Sequence, residues 1–190
     1  MATPFTMKLA GIAQDLHDRF HLMTENDPPL AKQIEKFWTG IGLDFPGVDT
    51  AWSAVFVSFC VKQAGATAGE FKFDAAHSQF VNAAIRNGLA NTGVFRGRKI
   101  TDHAPSIGDL IHMNRGGTKF DFDFARTHKS YKSHSAIVVE VGVDSGGRFA
   151  LTIGGNESDS IRSSLVRLNS DGLIKQRDRN PYICVVEDLK

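Results

Sequence analysis

The chain has 190 residues, of which 42% are hydrophobic and 23% charged, and its formal net charge is +1. These values are ordinary for a globular protein, and the length fits one domain, residues 1–190, with a sizeable core. The near-zero net charge gives no global basic field, so we expect no nucleic-acid partner.

Helical periodicity of apolar residues predicts four helices in the first half of the chain. The first ends near Phe20 and forms an N-terminal helical extension, residues 1–25. The second runs from about Leu30 to Trp38. The third is capped by Asp49 or Thr50 and ends at Ala64, before Gly65. The fourth covers about 75–87.

After Pro105 the pattern changes to short apolar runs separated by glycine-rich turns. These runs predict five strands, at about 109–113, 135–143, 148–153, 161–168 and 182–186. Helices followed by antiparallel strands indicate an α+β fold. The polar segment 114–133 is long for a loop, so we expect it to border a site. The basic residues Arg96, Arg98 and Lys99 are interpreted as a solvated turn.

Nothing in the first 20 residues has the basic start and apolar core of a cleaved signal peptide, and no apolar run approaches the ~20 residues of a membrane span. We therefore expect synthesis in the cytoplasm. A target in the periplasm or cell wall would require a specialised secretion system or lysis. Cys60 and Cys184 lie in apolar runs and are expected to be buried free thiols.

Three polar residues stand where they can carry catalysis. Ser53 lies one turn inside an apolar helix, near the end where the helix dipole and free backbone N–H groups favour an anion, although serine is also common in a first turn. His134 begins a strand and can act as a base, or can be a loop-edge histidine. Asn156 follows Gly154 and Gly155 and can orient an imidazole, or belong to a plain turn.

Further residues have two readings each. His77 can line a substrate cleft or serve as a second base, or it can pack or cap a helix. Asp109 and Trp52 are candidates near the substrate, with Asp109 favoured as a turn acceptor that rigidifies the fold. We expect no cofactor and no metal. The weaker alternative is an oxygen-and-nitrogen metal site built from acidic and histidine residues of one segment. That set comprises Asp121, Asp123, His128 and His134.

The chain resembles papain-like cell-wall hydrolases of the NlpC and CHAP type, and more closely an uncharacterised bacterial group related to them. The resemblance spans about residues 38–165 and rests on five motifs in order. They are Trp52-Ser53-Ala54-Val55-Phe56-Val57-Ser58, Ala76-His77-Ser78, Pro105-Ser106-Ile107-Gly108-Asp109-Leu110-Ile111, Ser133-His134-Ser135-Ala136-Ile137-Val138-Val139 and Ile153-Gly154-Gly155-Asn156.

The resemblance implies a papain-like fold and a triad of nucleophile, histidine and polar orienting residue, which carries over to Ser53, His134 and Asn156. In the common form of these hydrolases a cysteine stands at the position of Ser53. The serine is either a natural variant of that cysteine or an engineered replacement for it. Serine cannot be ionised in advance as a thiol can, so it needs a well-aligned base. Cys60, about 10 Å deeper along the same helix, is expected to be core.

The leading interpretation is a peptidoglycan amide hydrolase, an amidase or endopeptidase, and its preferred version is a secreted antibacterial effector with an immunity protein as partner. The alternative is a catalytically inactive module of the same fold that binds cell-wall peptide or glycan. A third alternative is a metal-dependent hydrolase that uses Asp121 or Asp123.

Overall fold

The computed structural model describes residues 2–190 and consists of helices packed on an antiparallel sheet, an α+β arrangement. Four helices precede all the described strands, as the periodicity predicts, and a short fifth helix lies between strands. The helices are α1 (Pro4–Phe20), α2 (Pro28–Gly40), α3 (Ser53–Ala64), α4 (His77–Ala90) and α5 (Phe122–Thr127).

Within residues 2–190 the sheet has six strands, not the five predicted from sequence, and each neighbouring pair is antiparallel. The order across the sheet is β1-β6-β2-β3-β4-β5, so the C-terminal strand lies between β1 and β2. The strands are β1 (Phe95–Arg98), β2 (Leu110–Asn114), β3 (Ser133–Asp144), β4 (Gly147–Glu157), β5 (Ser160–Arg167) and β6 (Tyr182–Asp188).

The additional strand is β1, part of which the sequence analysis assigned to a solvated basic turn. It has four residues, two of them arginine and one glycine, so it lacks the apolar alternation that marks a strand. Tertiary packing explains it. Phe95 is 1% exposed, and a Cβ on Gly97 would lie 2.7 Å from the Cα of Ile85, so the absence of a side chain lets β1 lie directly against α4.

Helix α3 is the central element of the helical layer, since α1 and α2 both pack against it and it contacts β3 and β4 in turn. Its aromatic neighbours meet at Phe37, whose ring lies 5.4 Å from Phe56 and 6.1 Å from Trp52, all three fully buried. Burying each such side chain stabilises the fold by roughly 1.5–3 kcal/mol. The position of α3, which carries Ser53, is therefore strongly determined.

The N-terminal extension is part of this core and not an appendage. Leu9, Ala13, Leu16 and Phe20 of α1 are buried in the same apolar cluster as α3 and the sheet. Thr3 caps α1 through a hydrogen bond to the backbone N–H of Thr6. No helix among residues 2–190 is long and apolar enough to cross a membrane.

The segment 114–133 is not a plain loop, because it contains α5 and a column of aromatic rings. Phe120 stacks on Phe124 at 4.0 Å, and Phe124 stacks on His128 at 3.8 Å. The buried amide of Asn82 on α4 donates hydrogen bonds to the carbonyls of Ala125 and Arg126. These contacts hold the segment over α4, beside the residues described next.

Candidate active site

Ser53 is the first residue of α3 and is almost buried, with 4% of its surface exposed. The helix begins there and not after Asp49 or Thr50, so Ser53 lies at the terminus itself. Trp52 is the N-cap, and no described side chain caps this end by a hydrogen bond. The first N–H groups of a helix have no acceptor within it, so those near Ser53 can bind an oxyanion.

His77 is the residue in direct contact with Ser53. Its Nε2 lies 2.8 Å from the Ser53 Oγ, and it is itself the first residue of α4. Two helix N-termini therefore converge on one hydrogen bond. Burial holds the pKa of His77 well below its ordinary value of 6.5, and the nearby charges of His134, His112 and Arg115 lower that pKa further. His77 is thus a neutral imidazole at neutral pH.

The surroundings of His77 Nδ1 indicate which ring nitrogen carries the proton. The buried Nδ1 atom has no hydrogen-bond partner among residues 2–190. A buried N–H without an acceptor is rarer in proteins than a buried acceptor without a donor. We therefore assign the proton to Nε2, which donates to the Ser53 Oγ. In this tautomer Nε2 carries no lone pair, so it donates to the serine oxygen and has no site for the hydroxyl proton.

His134 lies beside His77, with ring centroids 5.2 Å apart and the rings inclined at 66°. Its Nε2 lies 2.8 Å from the Glu157 Oε1. A carboxylate can only accept a hydrogen bond, so the proton of neutral His134 is on Nε2 and Nδ1 carries the lone pair. This Nδ1 is buried and has no partner among the described residues. In this tautomer Nδ1 is the nitrogen of His134 that can accept a proton.

The orienting partner of His134 is Glu157, whereas the sequence analysis assigned that role to Asn156. The reason is an irregularity at the end of β4, where the pairing with β5 shifts between Gly154 and Glu157. Asn156 has a left-handed backbone, with φ of 55°, which breaks the strict alternation of side chains. Glu157 consequently reaches the side of the sheet on which His134 lies.

Gly154 makes room for this pair. A Cβ at this position would overlap both the Glu157 carboxylate and the His134 ring. A Cβ on the neighbouring Gly155 would lie 2.7 Å from the Trp52 ring, so this glycine lets β4 approach α3 closely. The two glycines that the sequence analysis assigned to a turn therefore belong to a strand and bring helix, histidine and carboxylate together.

Asn156 has a different partner. Its side-chain amide donates to the Glu25 Oε2 at 3.0 Å, and the same oxygen accepts the indole N–H of Trp52 at 2.8 Å. Trp52 is fully buried and packs against Gly155, and it is absent from the walls of the cavity over Ser53 that is described below. Glu25, which no sequence pattern singles out, links the segment before α2 to the start of α3 and to the end of β4.

Asp109 lies in a separate cluster. It is 2% exposed, and its carboxylate accepts hydrogen bonds from His103 Nε2 at 2.8 Å and from the backbone N–H groups of Ser106 and Asp188 at 2.9 Å each. These bonds join the turn before β2 to β6. Asp109 therefore acts as the turn acceptor predicted from its place in the sequence, and it is absent from the walls of the cavity over Ser53 that is described below.

A second buried histidine lies behind the site. His112 on β2 bonds through Nδ1 to Ser135 Oγ at 2.8 Å and through Nε2 to Tyr131 Oη at 3.1 Å. Burial lowers its pKa to about 3, and His134 contributes in the same direction. The sequence signal for it was weak, because a histidine inside an apolar strand is most often a core residue. It fixes Tyr131, which reaches the cavity.

A cavity of about 370 Å³ opens over Ser53 and His77, and we call it the Ser53 cavity. Its walls include Arg115, Tyr131, Lys132 and Ser133. A smaller cavity of about 210 Å³ opens over His134, Asn156 and Glu157, and Arg115 lines both. The structure thus brings Ser53, His77, His134 and Glu157 to one region.

No group of three or more metal-binding side chains is present among residues 2–190. Asp121 caps α5 by accepting from the N–H of Phe124, and His128 stacks on the Phe124 ring. His17 and His21 stack on each other along α1. Cys60 and Cys184 are fully buried free thiols, and burial raises the pKa of each.

Neither the curated proteins nor the solved structures include a significant match to this chain. One family model matches residues 26–185, which covers most of the chain and includes Ser53, His77, His134 and Glu157. The chain therefore belongs to the family described as an uncharacterized protein conserved in bacteria, DUF2272.

Proposed function

We propose that the protein is a serine hydrolase of amide bonds in bacterial cell-wall peptides, with a papain-like arrangement of nucleophile helix and sheet. The observation that carries this proposal is the juxtaposition of Ser53 with two histidines, one of which is held by a carboxylate. A hydroxyl at a helix N-terminus, a base and an orienting acid are the groups that acyl transfer requires.

In the proposed mechanism the Ser53 Oγ attacks the carbonyl carbon of the amide. His134 takes the hydroxyl proton on Nδ1, and Glu157 stabilises the imidazolium through Nε2. The N–H groups at the start of α3 bind the oxyanion, while His77 Nε2 donates to the serine oxygen as charge develops on it. His134 then protonates the leaving amine, and water hydrolyses the resulting ester.

Two points support the choice of cell-wall peptide: the resemblance of five motifs to those of NlpC and CHAP hydrolases, and the description of the family as conserved in bacteria. Digestion of purified muropeptides, followed by chromatography and mass spectrometry, tests it. We expect new products from the wild type and none from Ser53→Ala or His134→Ala. His128→Ala, at an exposed position, is the matched control and retains activity. Products that persist in Ser53→Ala contradict the mechanism.

A module that binds cell-wall peptide without cleaving it is the second candidate, and one observation favours it. The histidine in contact with Ser53 has its pKa held low by burial and by positive neighbours, so it is a poor proton acceptor. The nucleophile position also carries a hydroxyl in place of a thiol. Binding of muropeptides without products, in wild type and in Ser53→Ala alike, supports the module and excludes the hydrolase.

A further inference from the structure

The Ser53 cavity carries positive charge on a protein that is nearly neutral overall. Of the described residues that line it, Arg115 and Lys132 are the charged ones, and neither Asp nor Glu is among them. The formal net charge of the whole chain is only +1. The walls of this cavity are therefore more positively charged than the average surface, which favours an anionic ligand.

One hydrogen bond holds the guanidinium of the exposed Arg115, and the buried neighbour Asn114 fixes the chain beside it. Its Nη2 donates to the Asn156 carbonyl at 3.3 Å, across from β2 to the end of β4. It follows Asn114, which is 1% exposed and whose amide donates to the carbonyls of Phe120 and Pro181 at 2.8 Å each. A guanidinium anchored in this way loses little conformational freedom when it binds a ligand.

The charge of Arg115 reaches the reacting groups. Burial is the main reason that the pKa of His77 lies well below 6.5, and Arg115 is one of the positive groups that lower that pKa further. Because His77 is bonded to Ser53, a ligand that approaches the serine enters the field of Arg115. Arginine binds carboxylates with paired, charge-assisted hydrogen bonds, which fix orientation as well as charge.

We propose that Arg115, with Lys132 as a second cation, binds a carboxylate of the substrate, so that the amide cleaved at Ser53 belongs to an acidic peptide. This inference rests on the proposed function, and it names the substrate class that the site selects. Arg115 is a specificity-determining residue in this scheme, and the neutral remainder of the Ser53 cavity accommodates the peptide chain.

The test uses one cell-wall stem peptide in two forms, with all carboxyl groups free or converted to carboxamides. We expect the wild type to cleave the free acid with the higher kcat/KM, and Arg115→Gln to lower this value by about tenfold or more, mainly through KM. Arg115→Gln should change cleavage of the amidated peptide much less. Lys132→Gln should lower kcat/KM on the free acid in the same way but more weakly, because the lysine ammonium is a point charge on a flexible side chain.

Lys119→Gln is the matched control, because Lys119 is an exposed cation of the same segment that does not line the Ser53 cavity. Lys119→Gln should leave the ratio of kcat/KM for the free-acid and the amidated peptide unchanged. Equal cleavage of the acid and amidated peptides by the wild type overturns the inference and leaves the hydrolase proposal standing. Equal loss in Lys119→Gln also overturns it, since that result reflects overall charge.

A binding measurement separates this inference from the hydrolase proposal. Calorimetric titration of the Ser53→Ala variant with the same two peptides requires no turnover. If no peptide is cleaved but the free acid binds more tightly and Arg115→Gln removes the preference, the hydrolase proposal fails and only the carboxylate-binding role of Arg115 stands. If neither peptide is cleaved and neither binds preferentially, both are overturned.

Discussion

Glu157 Oε1 lies 2.8 Å from His134 Nε2, and this contact determines which imidazole nitrogen is left for chemistry. Since the carboxylate occupies Nε2, the lone pair resides on Nδ1, which is buried and without a partner among residues 2–190. The backbone irregularity at Asn156 and the missing side chain of Gly154 both serve this contact. Mutation of Glu157 measures how much this contact contributes to turnover.

We expect Glu157→Ala to lower kcat on muropeptides by roughly 10²-fold or more with little change in KM, because His134 loses both its orientation and the charge that stabilises its cationic form. Glu157→Gln keeps an acceptor for the Nε2 proton and should lose less. Nitrogen NMR of His134 reports the tautomer independently of turnover, and we expect the Nε2-protonated form in wild type and Glu157→Gln.

Asn156→Gly is the matched control for this prediction. Glycine tolerates the left-handed backbone at this position and keeps the carbonyl that binds Arg115, while the side-chain bond to Glu25 is lost. It should affect kcat less than Glu157→Ala. A larger loss in Asn156→Gly than in Glu157→Ala would return the orienting role to the asparagine.

Sequence patterns located the parts of the site that depend on local structure. Ser53 and His77 each begin a helix, and His134 lies at the start of a strand, because apolar periodicity and turn residues mark such boundaries. The partner of His134 was missed by one residue. A strand irregularity depends on pairing with β5, which strict alternation along one strand does not encode.

Two other features were missed for related reasons. β1 is too short and too polar to show a period, and it forms because β6 and α4 offer a place for it. Glu25 is an acidic residue in a polar turn, and nothing local distinguishes it from a solvated one. Its role arises from Trp52 and Asn156, which are 27 and 131 residues away in the chain.

Replacing the serine with cysteine tests the electrostatics of the helix terminus without a substrate. We expect Ser53→Cys to react with iodoacetamide at one site, with a midpoint below the ordinary thiol pKa of ~8.5, because the helix dipole favours the thiolate. Mass spectrometry identifies the labelled residue across a pH series.

The wild type supplies the control for this labelling. Cys60 and Cys184 are fully buried and burial raises the pKa of both, so the native protein should remain unlabelled while the denatured protein takes two labels. A Ser53→Cys thiol that stays unreactive up to pH 9 would show that the first turn of α3 does not stabilise an anion.

The Glu25 carboxylate is expected to contribute to stability as well as to the site. Glu25→Ala leaves the buried indole N–H of Trp52 without its acceptor, which should lower the free energy of unfolding by about 1–3 kcal/mol. Glu25→Gln keeps an acceptor oxygen and should lose less. Urea denaturation followed by tryptophan fluorescence measures both. Glu35→Ala, at an exposed position of α2, is the control, and an equal effect there would refute the prediction.

Asp188 should make the stability of the fold depend on pH. Burial raises the pKa of its carboxyl from 3.8 to about 7, the nearby Asp109 adds to the rise, and a hydrogen bond from the Lys190 N–H opposes it. The folded state therefore binds more protons than the unfolded state between about pH 4 and pH 7. Stability from this group is complete below pH 4 and is lost as the pH rises through 7.

The loss amounts to a few kcal/mol, on the order of 1.36 kcal/mol for each pKa unit. Asp188→Asn keeps the shape and removes the titration, so its free energy of unfolding should change less between pH 5 and pH 8 than that of the wild type. His103, whose pKa burial lowers but Asp109 and Glu187 raise by more, acts in the same direction in both proteins. The difference between the two curves thus isolates Asp188. Asp171→Asn, at an exposed position, is the reference variant. If the free energy of unfolding of Asp188→Asn and of wild type changes equally with pH, Asp188 ionises in the folded protein as it does in the unfolded chain.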